Sequence, residues 1–552
     1  MSVQFHINDK TTKADPGSSL FDLAESVGVY VPTSCRKQGK CRECLVEVTG
    51  GSENLNERTP EESHLRDKFR LSCRARLIST SGEVRCHTMR RGEMKIERHA
   101  MNLPVSNQRL TIDPCVTRVG NKVFLDGEQI DESKGPLYGL AMDLGTTTVV
   151  LRLLNLETGE IVADSSFENP QRFGGSEVMS RIQYETEHKG KLLQQTVAGY
   201  IRHAIEGFNV DPKSIYEMVV VGNSTMRDIF FRLDVYSIGQ NPYRSITELD
   251  LRDGKRATTS LTAKANRLLI RLHPKARIYG LPIISGHVGA DAAACMLAVD
   301  LANEERLIAL MDIGTNTELI LGNKHKILSA SCPAGPAFEG GKISCGMPGL
   351  PGAIEKVKIN ADGVVTCKVI GDGTADGVCG SGLVDALSEL LRTRRMNSLG
   401  RFHGNENEFV LSSRDGQSIS INESDINELA QAKGANVAGL HVVFNKYGIR
   451  FDDIDTFYLA GGFGRNLDVE SSKRIGLIPN LEDSKIIQVG NAAIEGACIA
   501  LLSLAKRAEL ENLVTTVTHC RLETDPEFFN YFVEGCQFNP VNSIDIPETL
   551  GR

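Results

Sequence analysis

The sequence predicts a multidomain chain that joins an α+β unit to a pair of α/β units, on three observations. The chain has 552 residues, too many for one hydrophobic core, so about three to four domains are expected. Its first ninety or so residues alternate short strand and helix patterns around closely spaced cysteines. Further on, one strand-turn-strand text appears twice, as MDLGTTTVVLR at 142–152 and as MDIGTNTELIL at 311–321.

Composition narrows the class. Hydrophobic residues make up 41% and charged residues 24%, with 52 glycines, the values of an ordinary globular chain rich in tight turns. The formal net charge of −8 does not favour nucleic acid as a partner. No run of eighteen apolar residues occurs, and the opening MSVQFHINDK lacks the order of a secretory signal, so no membrane association and a cytoplasmic location are expected. In a reducing compartment fourteen cysteines do not form a disulfide framework, and any close group reads first as metal-binding or catalytic.

The N-terminal unit carries such a group. SCRKQGKCREC gives Cys35-x5-Cys41-x2-Cys44, and LSCRARL adds Cys73 from afar. Plant-type [2Fe–2S] proteins space their ligands C-x4-C-x2-C with a distant fourth cysteine, one residue shorter in the first gap. A zinc ribbon would want two CxxC pairs, and only Cys41 and Cys44 form one. Zinc remains the alternative. The flanks read as strand VQFHI, then helix SLFDLAESVG with Ser19 at its cap and Gly28 past its end, then strand CLVEVTGG. Thr59-Pro60-Glu61-Glu62 supplies a cap, a first-turn proline and a capping-box glutamate for a short helix before Cys73. Gly39 would let the loop wrap closely, bringing backbone N–H groups to the sulfurs. Cys86 lies outside the spacing and reads as a buried thiol. Residues 1–92 thus resemble the [2Fe–2S] ferredoxin family, which implies a β-grasp fold.

Residues 93–136, with EMKIERHA, NLPVSNQRL and GEQIDESKGP, hold too little apolar material for a core of their own. They read as a linker with limited structure, KVFLDG being a short strand within it.

The repeated text then divides the rest into 137–303 and 304–552. Each copy is a β-meander with an aspartate, Asp143 or Asp312, at the first hairpin. Gly145 and Gly314 are expected to supply the backbone angles of a turn that approaches a ligand. Thr146, Thr147, Thr315 and Asn316 offer hydroxyl, amide and N–H groups to phosphate. The aspartates would hold Mg²⁺, directly or through water, or orient an attacking water. DTFYLAGGFGRNLD adds a strand and a glycine turn, Gly461-Gly462-Phe463-Gly464, that could admit an adenosine. GPAFEGGKIS around Lys342 has neither Walker A spacing nor a hydroxyl residue after its lysine. Asn223 and Ser224, and the turn VGNAAIEGA at 489–497, read as cleft-lining. Cys332, Cys345 and Cys379 lie in glycine-rich loops without ligand spacing, where close packing near the cleft explains them better than thiol chemistry. His287 reads as a turn residue.

In order, these residues resemble the phosphate-1, phosphate-2 and adenosine motifs of the superfamily of actin, sugar kinases and heat-shock chaperones. The resemblance implies two ribonuclease H-like subdomains with ATP between them. The whole chain is similar to the reductive activators of corrinoid enzymes, over residues 1–92 and about 137–540, with a connector that looks short for members carrying a middle domain. That resemblance implies a [2Fe–2S] cluster on Cys35, Cys41, Cys44 and Cys73. It also implies ATP-dependent transfer of one electron to Co(II) on a corrinoid protein or corrinoid-dependent methyltransferase, giving Co(I), with an upstream electron donor. It is compatible with a homodimer whose interface the sequence does not locate. Competing readings are a reductase of another low-potential acceptor, such as a radical dehydratase component, and a redox-sensing ATP-binding module. A small-molecule kinase would leave the ferredoxin part without a role.

Overall fold

Val3–Ile7 (β1) buries alternate residues, Val3, Phe5 and Ile7. The chain turns back through Asn8, which lies in the left-handed region at φ 52°, into Lys10–Ala14 (β2). Helix α1, Leu20–Ser26, begins where Ser19 Oγ accepts the Asp22 N–H at 3.1 Å, and it buries Leu20, Phe21, Leu23 and Ala24. Leu45–Gly50 (β3), Phe69–Leu71 (β4) and Glu83–Thr88 (β5) complete a mixed sheet ordered β2-β1-β5-β3-β4 over that helix. This is the β-grasp arrangement. The capping box at Thr59 starts only one 3-10 turn, Pro60–Glu62. Glu62 is buried and held by Arg70 at 2.8 Å, which fastens that turn to β4.

The computed structural model describes residues 2–90, 103–104, 110–404, 406–414, 417–462 and 464–542. EMKIERHA at 93–100 lies outside them. The described part of 93–136 forms an antiparallel meander of Val116–Val119 (β6), Lys122–Leu125 (β7) and Glu128–Glu132 (β8). This is more structure than composition alone suggests. Its apolar residues Val116, Val123 and Ile130 are buried in a core shared with both halves of the chain that follows, so the meander borrows a neighbour's interior.

The next sheet is ordered β11-β10-β9-β12-β14-β13. It comprises Tyr138–Leu144 (β9), Thr148–Asn155 (β10), Ile161–Glu168 (β11), Ile215–Val221 (β12), Leu261–Lys264 (β13) and Arg277–Gly280 (β14). Helices α2 (Val178–Glu187), α3 (Leu192–Glu206) and α4 (Ala290–Ala298) belong to this half. In the second half Ile308–Asp312 (β15), Thr317–Asn323 (β16) and Lys326–Cys332 (β17) repeat the meander. A three-stranded sheet of Ala353–Ile359 (β18), Val365–Val369 (β19) and Gly377–Val378 (β20) follows, then helix α5 (Gly380–Arg392) and a hairpin of Glu408–Arg414 (β21) and Gln417–Asn422 (β22). Helix α6 (Glu423–Tyr447) leads to Thr456–Ala460 (β23), Ile486–Gly490 (β24), helix α7 (Ala492–Leu502) and Thr518–His519 (β25), closing the order β24-β23-β15-β16-β17-β25. In each half a later strand, β12 or β23, runs parallel to the meander's first strand. The halves meet where α4 crosses α7. A Cβ on Gly496 would collide with the Ala294 carbonyl, so only glycine permits this approach. No helix among the described residues is long and apolar enough to cross a membrane.

Candidate functional site

The loop from α1 to β3 brings three of the four cysteines together, and the chain after β4 returns the fourth. Cys44 and Cys73 are buried with their sulfurs 3.4 Å apart. Cys35 and Cys41 form a second, half-exposed pair joined by a thiol hydrogen bond. The thiols stand two and two, which suits a cluster of two irons carrying two thiolates each. Among the described residues no group of three or more His, Cys, Asp or Glu is set to hold a single metal ion. Arg36 (φ 52°), Lys37 (64°), Gly39 (73°) and Arg42 (61°) curl the loop through left-handed angles. The backbone N–H groups of Cys41, Lys40 and Gln38 thereby reach the Cys35 sulfur, and that of Gly39 reaches Cys73. The Cys73 thiol is lowered to about 7, chiefly by its bond with Cys44, toward the thiolate form that binds iron.

The same loop rests on α3. Glu43 is buried and accepts hydrogen bonds from Arg202 Nη2 at 2.8 Å, His203 Nε2 at 3.0 Å and Ser34 Oγ at 2.8 Å. Burial alone would push its carboxyl up, but the bonds from His203 and Ser34 hold it below its ordinary value. Gly199 on α3 makes the space, since a Cβ there would stand 2.7 Å from Glu43 Cγ. A second tie runs through Arg172, whose guanidinium lies 3.5 Å from Glu47 of β3 and 2.8 Å from Glu168 of β11. The ferredoxin unit and the first ATPase half share one continuous core.

Just past β11 the chain reaches the first turn. The Asn169 N–H donates to the Thr147 carbonyl at 2.7 Å, and its Nδ2 donates to the Gly145 carbonyl at 2.8 Å. Arg181 Nη2 donates to the Thr146 carbonyl at 2.6 Å, and Asn223 Nδ2 to Thr146 Oγ1 at 2.9 Å. In the second turn the Thr315 carbonyl accepts the Gly335 N–H at 2.8 Å. Thr147 Oγ1 and Thr315 Oγ1 face each other at 3.0 Å, and both donate to Glu339 Oε2, the former at 2.6 Å. One carboxylate thus bridges the two turns.

A cavity of 170 Å³ between the halves is lined by Asp143, Gly145, Thr146, Thr147, Asp312, Gly314, Thr315, Asn316, Gly461 and Gly462. The structure therefore gathers these ten residues. Gly464 stands behind the wall, its N–H on the Gly461 carbonyl at 3.0 Å and its own carbonyl accepting Gln488 Nε2 at 2.6 Å. Phe463 lies outside the described residues. Neither Gly145 nor Gly314 takes a positive φ, contrary to expectation. What Gly145 supplies is space, because a Cβ there would stand 2.7 Å from the Thr148 carbonyl. Gly461 does take a positive φ, 108°, and a Cβ there would strike the Ile313 carbonyl of the second turn.

The wall is acidic. Burial pushes Asp143 up to about 7, with the Asp312 charge adding and the 3.0 Å bond from Asn491 Nδ2 opposing. Burial likewise raises Asp312 to about 6, against a bond from the Cys295 thiol at 3.3 Å, and Asp291 to about 7. Glu318 and Glu339 are also raised by burial. No lysine or arginine stands among the described lining residues. A bare polyphosphate would be repelled here, whereas one carrying a divalent cation matches the wall.

Asn491 and Ala493 line the cavity as read from the sequence, and so do Asn223 and Cys379. Ser224 turns away to the Ser285 carbonyl at 2.7 Å. Cys332 is buried, Cys345 is half-buried outside the lining, and burial raises the Cys86 thiol. His287 packs its ring beside Tyr243 at 5.2 Å, and Lys342 pairs with Glu177 at 2.6 Å. The sequence reading missed Asn169, Arg181, Asp291, Glu318 and Glu339. Glu318 had a local signal, an acid inside the apolar strand TELILG. Glu339 lay in the glycine-rich stretch tested only for Walker A spacing.

Three family models match consecutive stretches of the chain. The 2Fe-2S iron-sulfur cluster binding domain matches residues 5–77, the RACo middle region 138–304, and the C-terminal domain of RACo, the ASKHA domain, 306–549. The middle-region match falls on the half that carries the first turn, β9 to α4. The chain is similar to the corrinoid activation enzyme RamQ of Eubacterium limosum, 28% identical with 98% of this chain and 99% of that protein covered. It is also similar to the Co(II) methylated amine-specific corrinoid protein reductase of Methanosarcina barkeri, 26% identical with 72% and 76% covered. Among solved structures, a reductive activator for corrinoid,iron-sulfur protein superposes with a TM-score of 0.71 at 26% identity, covering 98% of both chains. Matched in three stretches between residues 5 and 549, the chain belongs to the RACo family, the reductive activators of corrinoid proteins.

Proposed function

We propose that this chain delivers single electrons to Co(II) held by a corrinoid protein or corrinoid-dependent methyltransferase, returning it to Co(I), and that ATP with Mg²⁺ drives the delivery. The observation that carries the reading is a shared element. Glu168 of β11 is tied through Arg172 to the strand following the cysteine loop, and the next residue, Asn169, holds the first phosphate turn. Electron store and nucleotide cleft are one construction. The names of the relatives, a corrinoid activation enzyme and a corrinoid protein reductase, agree with it.

In this reading Cys35, Cys41, Cys44 and Cys73 hold a [2Fe–2S] cluster, which supplies storage of one electron. Thr146, Thr147, Thr315 and Asn316, with the N–H groups after Gly145 and Gly314, take phosphate oxygens. Gly461 and Gly462 leave room for the adenosine, and Gly464 keeps their turn closed. Asp143 and Asp312 hold Mg²⁺ through water or orient the attacking water. Raising an electron by about 0.2 V costs roughly 4–5 kcal/mol at 59 mV per tenfold, within reach of a nucleotide-driven conformational change. The partner's contribution is a change of cobalt ligation on docking, which moves the acceptor's potential. The chain works in the cytoplasm, where the cysteines other than the four cluster ligands stay reduced, and takes its electrons from an upstream donor.

The deciding experiment mixes reduced protein with a purified Co(II) corrinoid protein and follows the visible spectrum with and without ATP. Co(I) appearing only with ATP, and lost in Asp312→Ala, is the expected result. Cluster reduction and ATP hydrolysis without Co(I), across several corrinoid partners, would direct the reading to another low-potential acceptor.

A further inference from the structure

Beside the cysteine loop lies a groove of 580 Å³ that the nucleotide site does not use, between residues 39–42 and the turn joining α2 to α3. Lys40 and Arg42 stand on one bank and Lys189 on the other. The two carboxylates that also line it are already paired, Glu61 with Arg74 at 3.4 Å and Glu187 with Arg66 at 2.5 Å. Lys40 and Lys189 are exposed and make no ion pair among the described residues, and Arg42 reaches only Gln195 Oε1 at 3.4 Å. Behind them His64, 7% exposed, leaves its Nε2 without a partner among the described residues. Burial, reinforced by the Arg42 charge, lowers that ring to about 4 and keeps it neutral. With its other nitrogen bonded to the Glu61 carbonyl, Nε2 is an acceptor that wants an N–H or O–H.

Position gives the groove its meaning. Its Gly39 carries the N–H that bonds the Cys73 sulfur, so whatever seats here lies one residue from a cluster ligand. The loop's other side is closed by Glu43 against α3. The chain as a whole carries a net charge of −8, and a basic groove against that background steers one sign of partner to one place.

We infer that this groove docks the electron donor, an acidic one-electron carrier protein whose carboxylates meet Lys40, Arg42 and Lys189. Lys40 and Arg42 on the cysteine loop and Lys189 across the groove flank the approach to the cluster site from two elements, and a protein surface carrying several carboxylates meets both banks at once. The inference rests on the electron-delivery reading above. One electron leaves the reduced carrier and is gained at the cysteine site; no bond forms or breaks and no proton moves.

The test uses the full chain with its cluster, without ATP or corrinoid, and follows bleaching of the cluster's visible band by stopped flow. The reductants are a reduced acidic plant-type ferredoxin and, separately, sodium dithionite. In the double variant Lys40→Glu/Lys189→Glu the ratio of ferredoxin rate to dithionite rate falls about tenfold at low salt, and the deficit shrinks as salt screens the charges. The milder Lys40→Gln/Lys189→Gln lowers the ratio in the same direction by a smaller factor. A ratio unchanged in both variants, or insensitive to salt, overturns the inference. Equal slowing with both reductants would assign the groove to small anions and overturn it too. If the parent protein showed no cluster band, the electron-delivery reading itself would fall, an outcome distinct from an intact band with an unmoved ratio.

Discussion

The two phosphate turns share a strand pattern but differ in what holds them. Carbonyls of the first turn are gripped by Asn169 and Arg181. Asn169 follows the strand tied through Arg172 to the ferredoxin sheet, and Glu168 beside it donates its N–H to the Met89 carbonyl at 3.2 Å. The second turn is held by groups of its own half, the Gly335 N–H and Glu339, and by Cys295 of α4. Among the described residues the contacts named here tie the first copy to the cysteine-bearing sheet and the second to its own half and α4. We expect a movement of the first turn to reach the cysteine loop directly and a movement of the second to reach it only through the Glu339 bridge.

The largest test asks whether the two aspartates remain equivalent in chemistry despite that asymmetry. Asp143→Asn and Asp312→Asn should each lower ATP hydrolysis about a hundredfold or more, measured as phosphate release, as expected when a group positioned for the transition state is removed. Retention of hydrolysis in one of them would show that the copies have divided the work.

Arg172→Gln addresses the connection itself. It leaves Glu47 and Glu168 facing each other without their shared cation, at a cost of about 3 kcal/mol. Hydrogen exchange across 45–50 and 161–168 should rise, and the effect of nucleotide on ferredoxin-domain exchange should disappear. Unchanged exchange would remove Arg172 from the route.

A smaller effect is written in the pH dependence of the nucleotide-free protein. Asp143, ordinarily titrating at 3.8, is raised to about 7, so the folded state binds that proton more tightly than the unfolded chain does. The stability it brings is complete below about pH 4 and is lost as pH rises toward 7. Asp143→Asn escapes this loss, and its Tm advantage over the parent should widen by about 2–4 °C between pH 5 and 8 in calorimetry. A constant or narrowing gap would contradict the raised titration. Smallest of all, Lys342→Gln removes the exposed Lys342–Glu177 pair and should change unfolding stability by less than about 0.5 kcal/mol. A larger loss would mean that the second half has its own tie to α2.

How much of this was legible in the sequence follows from contact range. The cysteine set, the Ser19 cap and both meanders were readable because their partners lie within a few residues or in one repeated phrase. Asn169 acts across 24 residues, Glu339 across 192 from Thr147, and Asn491 across 348 from Asp143, where no local period exists to betray them. Asn491 was still glimpsed because a glycine turn opening a helix marks a strand end at the cleft. The meander at 116–132 was under-read for a related reason: its core belongs to another part of the chain. Arg172, a charge inside the turn text PQRFG, carries no local sign of the ferredoxin sheet that it reaches through Glu47.

The crossing of α4 and α7 carries a consequence for motion. The closest approach is Gly496 on Ala294, and alanines recur along both helices, at 292 and 293 on one and at 493, 497 and 500 on the other. Small residues at a crossing leave little to interlock, so we expect the two halves to shear past one another around the Gly496 contact rather than open like a jaw. A substitution as slight as Gly496→Ala would set its methyl against the Ala294 carbonyl and disturb that bearing while leaving the cavity lining untouched.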